Sequence, residues 1–303
     1  MLVSAFKTSK AVALLVVLAA TLLVACGDDE DSGLSADVRP LPSAGVDAKA
    51  AELVPASVRN SGTLVVPMAA TYPPNEFFAD DDTTIIGMGA DMARAVGQRL
   101  DLGTELRSAP FDSIIPGLVD GKYSLSISSF TDTKEREELV DMVTYFEAGT
   151  GFFTRSDGPV ELTGIDDLCG KSVAVSIGTV QADDARAQSD KCESEGKAPV
   201  VVEVLPNQTA ATEAVDVGVA ELGMADTPVA AYIVKNSEGT LSKVGEDFGV
   251  APYGIAVSKD SKLAPAVQAA VQSLIDDGTY ERILKRWGLE KDAISRSRIN
   301  AAE

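Results

Sequence analysis

The sequence predicts an α/β fold, and three features of its 303 residues predict it. Short apolar strands alternate with helix-spaced segments in a first cycle, from Thr63 to Phe130. The alternation resumes in a second cycle, from Lys171 to Ala225. Two further extended stretches, near 145–155 and 249–257, stand outside both cycles. Such alternation implies sheets covered by helices, with ligands held where strands end and helices begin.

Taken in order, the chain opens with Lys7 and Lys10 ahead of an apolar run, Ala11 to Ala25, broken only by Thr21. That run is short for a membrane span and right for the apolar part of a secretory signal. It ends in Leu23-Val24-Ala25-Cys26-Gly27, which resembles a bacterial lipobox. The resemblance implies a signal peptide over 1–25 and a diacylated or triacylated Cys26, because one acyl chain alone anchors only marginally. Residues 26–56, with an acidic run from Asp28 to Asp31 and with Pro40, Pro42 and Gly45, read as a tether. Within it, 47–54 can form a helical turn or two. With Cys26 lipidated, Cys169 and Cys192 remain, an even pair outside the cytoplasm. That suggests a disulfide, the alternative being two free buried thiols.

Removing residues 1–25, which carry two lysines and no acid, leaves 24 basic against 46 acidic residues, a net charge of −22. Such a charge argues against nucleic acid as a partner and against an electrostatic hold on anionic lipid. The chain has no histidine, which excludes a Ser-His-Asp or Cys-His triad and any His-containing zinc site. No cofactor or metal is expected.

Thr63-Leu-Val-Val-Pro67 is a short strand running into the Pro-stiffened loop Thr71-Tyr-Pro-Pro-Asn-Glu-Phe-Phe78. From Gly87 to Leu100, Met88, Met92, Ala95, Val96 and Leu100 fall at helical spacing. Gly87-x-Gly89 is not a nucleotide fingerprint, since the third glycine and the acidic partner are missing. Phe111-Asp-Ser-Ile-Ile-Pro-Gly-Leu118 starts another helix, with Asp112 or Ser113 as cap. A strand over 125–130 then stops at Thr131-Asp132-Thr133, where Asp132 or Thr133 caps a helix that opens with Lys134-Glu135-Arg136. Hydroxyls, backbone N–H groups and one guanidinium converge there, a pattern suited to a carboxylate. The competing reading is a solvated Arg136 paired with Glu135, Glu137 or Glu138.

In the second cycle, 171–177 is a strand and Gly178-Thr-Val-Gln181 a glycine turn opening a helix, again able to hold an anion. A strand over 200–205, a helix over 210–218 and a strand over 220–225 follow. Asp226 ends that strand, ahead of Thr227-Pro228. It is placed to face a cleft, or else serves as a plain N-cap. An amphipathic helix over 264–275 and a last helix through Trp287 close the pattern.

These motifs together resemble family-3 solute-binding proteins, the amino-acid receptors of ABC importers, over nearly everything from about Val58 to Leu289. They are Thr71-Tyr-Pro-Pro, Phe111-Asp-Ser-Ile-Ile-Pro, Ser128-Ser-Phe-Thr-Asp-Thr-Lys-Glu-Arg136, Gly178-Thr-Val-Gln, Ala225-Asp-Thr-Pro and Asp277-Gly-Thr-Tyr with Trp287-Gly. The resemblance implies the two-lobed, type II periplasmic-binding-protein-like α/β fold with two crossing strands. Lobe 1 is then 58–151 plus 252–303 and lobe 2 is 152–251. It implies Arg136 on the ligand α-carboxylate, helped by Thr131, the Ser129 backbone and the turn of Gly178, Thr179 and Gln181. Asp226 takes the α-ammonium, and Tyr72 and Phe111 sandwich the side chain. It also implies a monomer, lipid-anchored outside the cytoplasm, that delivers its ligand to an ABC permease.

Val180 stands where the family often has a hydroxyl residue, so backbone N–H groups are expected to serve. Ala69 and Ala70 occupy the region where binders of cationic amino acids often carry an aspartate, which argues against such a ligand. The alternative is a dehydratase on the same scaffold, for which Asp226 and Glu76 are the only acid–base groups in reach. A lytic transglycosylase fusion is not expected in the length that follows Trp287.

Overall fold

The computed structural model describes residues 43–158 and 160–303. The expected signal peptide, Cys26 and the tether up to residue 42 lie outside the described residues. Two short helices come first, α1 (Ala48–Glu52) and α2 (Ala56–Ser61). Asp47 caps α1, accepting from the N–H of Lys49 at 2.9 Å and of Ala50 at 3.1 Å. Ala50 and Val54 are buried, so this part of the stretch read as a tether packs on the body of the protein.

The first half is built on β1 (Thr63–Met68) and β5 (Gly103–Ser108), parallel from Thr63↔Gly103 to Met68↔Ser108. Their crossover carries α3 (Met88–Arg99), nearly all buried, and a small antiparallel sheet of β2 (Thr71–Tyr72), β3 (Glu76–Phe78) and β4 (Ile85–Ile86). On its other side β1 is stitched to β6 (Leu125–Thr131) by serine hydroxyls: Ser126 Oγ donates to Pro67 O at 2.6 Å, and Ser128 Oγ accepts from Ala69 N–H at 2.9 Å. Pro67 has no N–H to give to a ladder, and the Ser126 hydroxyl satisfies its carbonyl. Between β5 and β6 lies α4 (Phe111–Val119). Neither Asp112 nor Ser113 caps it. Pro110 fixes the extended backbone one residue earlier, and Ser113 Oγ donates to Pro110 O at 2.7 Å.

The helix α5 (Lys134–Leu139) leads into β7 (Asp141–Arg155), which pairs antiparallel with β11 (Leu241–Val257) along nearly its whole length, from Leu241↔Arg155 to Val257↔Asp141. These two strands are the centre of a six-stranded order, β6-β11-β7-β10-β8-β9, completed by β8 (Ser172–Ser176), β9 (Val201–Leu205) and β10 (Leu222–Asp226). β6 meets β11 only at residues 253–257, and β10 meets β7 only at residues 150–154. One end of the ribbon therefore belongs to each half, and two strands cross between two α/β lobes.

Each lobe has its own core. On β7, successive side chains point to opposite faces of the sheet. Phe152 packs with Ala182, Ala185 and Cys192 of α6 (Val180–Ser194). Phe153 packs with Ala211 and Val215 of α7 (Gln208–Asp216) and Val229 of α8 (Thr227–Asn236). In the other lobe, Ile114, Leu118, Phe130, Val140 and Met142 form a cluster. The helices α9 (Ala264–Asp276) and α10 (Thr279–Trp287) close that lobe, with Trp287 Nε1 donating to the buried Asp91 at 2.9 Å.

Cys169 and Cys192 form a disulfide across 23 residues, with Cα atoms 5.6 Å apart. It ties α6 to the turn ahead of β8. A loop of that length, on the chain-entropy account, makes the bond worth about 3 kcal/mol. Urea unfolding with and without reductant is expected to show that loss, and equal midpoints would contradict it.

Candidate ligand-binding site

A cleft of about 330 Å³ opens between the lobes, at the strand ends and helix starts where such a fold holds ligands. One wall comes from the loop after β1, the start of α4 and the end of β6. The other comes from the start of α6, the residues ahead of α7 and the end of β10.

Arg136 lies in the first turn of α5, half-buried. Its Nη1 donates to Thr131 O at 2.8 Å and its Nη2 crosses the cleft to Gly178 O at 3.0 Å. The guanidinium lies 5.7 Å from the Phe111 ring centre and 5.4 Å from that of Phe130, two rings stacked at 4.6 Å. Burial pulls its pKa down, opposed by Asp226, Asp183, Glu135 and Asp132. Among the described residues, Arg136 makes no hydrogen bond or close ion pair with Glu135, Glu137 or Glu138, the pairing that local spacing allows. Thr133 Oγ1 caps α5 at the Arg136 N–H, 3.3 Å away, while Asp132 turns elsewhere.

β6 is not a plain strand where it forms the cleft. Ser129 sits at φ +52°, and between Phe130 and Ser126 the pairing with β11 runs from Gly254 only to Ala256. This bulge turns consecutive serines, Ser128 and Ser129, to the lining. Ser129 Oγ accepts from Asn75 Nδ2 at 3.0 Å.

From the other lobe, Asp226 is 5 % exposed and accepts from Gln181 Nε2 at 2.8 Å and Tyr253 OH at 2.6 Å. Its backbone N–H donates to Tyr72 OH at 2.9 Å. Burial raises its carboxyl, opposed by the hydrogen bonds of Tyr253, Tyr72 and Gln181 and by Arg136. The side chain makes no capping bond to α8, so the plain N-cap reading does not describe it. Thr179 caps α6 through Ala182 N–H at 3.3 Å, and Gly178, at φ +75°, brings that turn against Asp112 and Phe111.

Tyr72, Phe111, Ser129, Thr131, Arg136, Thr179, Gln181 and Asp226 all line the cleft, and Gly178 stands behind Arg136. The sequence reading leaves Glu76 aside as a ligand group. Glu76 is fully buried, lines the same cleft, and neither carboxylate oxygen has a hydrogen-bond partner among the described residues. Burial pushes its carboxyl well above the usual range, the Ser129 and Ser128 hydroxyls opposing and Asp226 adding. It lies against Gly89, where a Cβ would come within 2.7 Å of Oε2. The signal that points to it is the single acid in the proline-stiffened loop Thr71-Tyr-Pro-Pro-Asn-Glu-Phe-Phe78.

The model for bacterial extracellular solute-binding proteins, family 3, matches residues 64–290. The arginine-binding protein ArgT of Corynebacterium glutamicum is 34% identical over 249 residues, covering 82% of this chain and 81% of that protein. The L-cystine-binding protein TcyJ of Escherichia coli is 26% identical over 232 residues, 76% of this chain and 84% of its own. Among solved structures, an ancestral arginine-binding protein bound to arginine superposes with a TM-score of 0.68 at 32% identity, covering 75% of this chain and 98% of its own. The chain belongs to family 3 of the bacterial extracellular solute-binding proteins.

Proposed function

We propose that the chain is the receptor of an ABC importer and that it binds an α-amino acid with a cationic side chain, arginine foremost. The observation that carries this is the charge of the cleft, where one guanidinium, Arg136, faces two carboxyls, Asp226 and Glu76. An α-carboxylate pairs with Arg136 and an α-ammonium with Asp226. Glu76 is then left for a third, positive group. Arginine leaves no charge unmatched, the condition for taking charges out of water. The relatives named for arginine support the same reading. The sequence argument from Ala69 and Ala70 points the other way because it looks for an acid near those two positions. Glu76 supplies one from the far end of the same loop.

Tyr72 and Phe111 flank the side chain. Thr131, the Ser129 backbone, Gly178, Thr179, Gln181 and the amide end of α6 complete the carboxylate site. Lobe 1 (58–151 plus 252–303) and lobe 2 (152–251) rotate about the two crossing strands, and ligand selects the closed form that a permease recognises. No bond is made or broken. The chain works as a monomer outside the cytoplasm, held to the cell membrane through lipid on Cys26.

A thermal-shift screen against the twenty amino acids tests the reading. Ligand at about 100 times its dissociation constant adds about 2.7 kcal/mol of stability. The largest shift is expected with arginine. A response to neutral amino acids alone removes the role of Glu76, and a response to no α-amino acid removes the ligand class.

A further inference from the structure

We propose that residues 297–302 form a strap that positions Arg136, so that ligand affinity depends on a segment remote from the cleft. This rests on the reading of Arg136 as partner of the ligand carboxylate. The observation behind it is that α5, which carries Arg136, has six residues and none of them is buried. A helix so short does not hold itself in water, and no apolar face fastens this one to a core.

Beyond the Thr133 cap, the bonds of Arg136 itself and the buried Val140 that follows, what holds it is polar and comes from the strap. Asp132 Oδ2 accepts from Ala301 N–H at 2.9 Å, and Glu137 Oε1 accepts from Ala302 N–H at 2.8 Å. Lys134 Nζ donates to Ala302 O. These three residues bracket Arg136 on both sides in sequence. Asp132 is also fixed to the second crossing strand, its N–H donating to Pro252 O at 2.8 Å.

The strap has its own anchorage. Ile299 bridges Val143 on β7, and Asn300 exchanges two bonds with Met142, N–H to O and N–H to Oδ1, each 2.8 Å. Thr144 N–H donates to Arg298 O, and Arg298 N–H to Thr144 Oγ1, both at 2.8 Å. Ser297, buried, donates from Oγ to Thr144 O at 2.8 Å, and its N–H goes to Gln272 of α9 at 3.1 Å. The strap thus covers the edge of β7 at 142–144, the edge that β10 covers at 150–154. It lies beyond residues 64–290, the stretch that the family model matches.

The test compares the full chain with the double variant Asp132→Ala, Glu137→Ala, which removes the two carboxylate bonds to the strap and leaves the Lys134 bond and the pairing with β7. The probes are arginine and argininamide, which lacks the carboxylate charge. Affinity for arginine is expected to fall about tenfold or more, the scale of lost charge-assisted hydrogen bonds, with argininamide changed less than about twofold. Adding Arg136→Met is expected to cost little further, since both changes act on one interaction. The conservative pair Asp132→Asn, Glu137→Gln keeps the acceptors and is expected to restore binding. Equal losses for both probes, additive losses with Arg136→Met, or unchanged arginine binding each overturn the proposal. If the unmodified chain binds no arginine, the reading of the cleft fails instead. The strap is then judged by amide exchange in α5, where unchanged protection in the double variant overturns it.

Discussion

Asp226→Asn is expected to cut amino-acid affinity by about two to three orders of magnitude while leaving the fold as stable as before. The loss follows from stranding an ammonium in a buried site, where breaking a charge pair costs about 3–5 kcal/mol. The retained stability follows from the sign of the Asp226 shift. Burial raises this carboxyl in the folded chain, so above that raised value its charge opposes folding and a neutral amide removes the penalty. The amide also keeps the local bonds: its oxygen can accept from Gln181, and its NH₂ can donate to the Tyr253 oxygen. Titration calorimetry gives the affinity and urea unfolding the stability. Affinity within threefold of the unmodified chain (about 0.65 kcal/mol) rules Asp226 out as the ammonium partner. A large drop in stability means instead that the residue is structural.

Glu76→Gln is expected to weaken arginine about 100-fold and citrulline, its neutral isostere, by less than about threefold, on the scale of losing a hydrogen-bonded buried charge. The same residue sets a pH dependence. With its carboxyl raised by burial and by the charge of Asp226, Glu76 holds a proton more firmly in the free protein than an exposed glutamate does. A guanidinium arriving in the cleft favours the carboxylate, so binding expels that proton. Arginine affinity is therefore expected to rise with pH through the range where free Glu76 titrates, and to fall below it. Calorimetry in two buffers of different ionisation enthalpy reads the released proton directly. Identical heats in both buffers for the unmodified chain, or arginine and citrulline weakened alike by Glu76→Gln, exclude Glu76 as the counter-charge.

Much of the fold was legible because it rests on local patterns. The strand-helix alternation, the glycine turn at Gly178 and the strand end at Asp226 each follow from residue spacing within ten or so positions. The motifs around Arg136 and Asp226 named two charged groups that the folded chain brings to one cleft. Two things escaped the pattern, the choice among neighbouring caps and the partners that burial brings together. Asp112 and Ser113 have the chemistry of caps, but Pro110 decides where α4 begins. Ser128 and Ser129 face the cleft through a bulge in β6 whose register is set by β11, more than a hundred residues on.

The sequence by itself determined the class of fold, the order of its elements and the charged ends that suit a zwitterion. Each depends on neighbours along the chain. Only the tertiary structure decided that Glu76 is a buried carboxyl whose oxygens meet no hydrogen-bond partner among the described residues, since that requires packing from β6 and α3 around it. Only the tertiary structure, likewise, laid residues 297–302 along the edge of β7 and against α5. The contacts at α5 join residues 165 and 169 positions apart, and nothing local in either segment encodes the other.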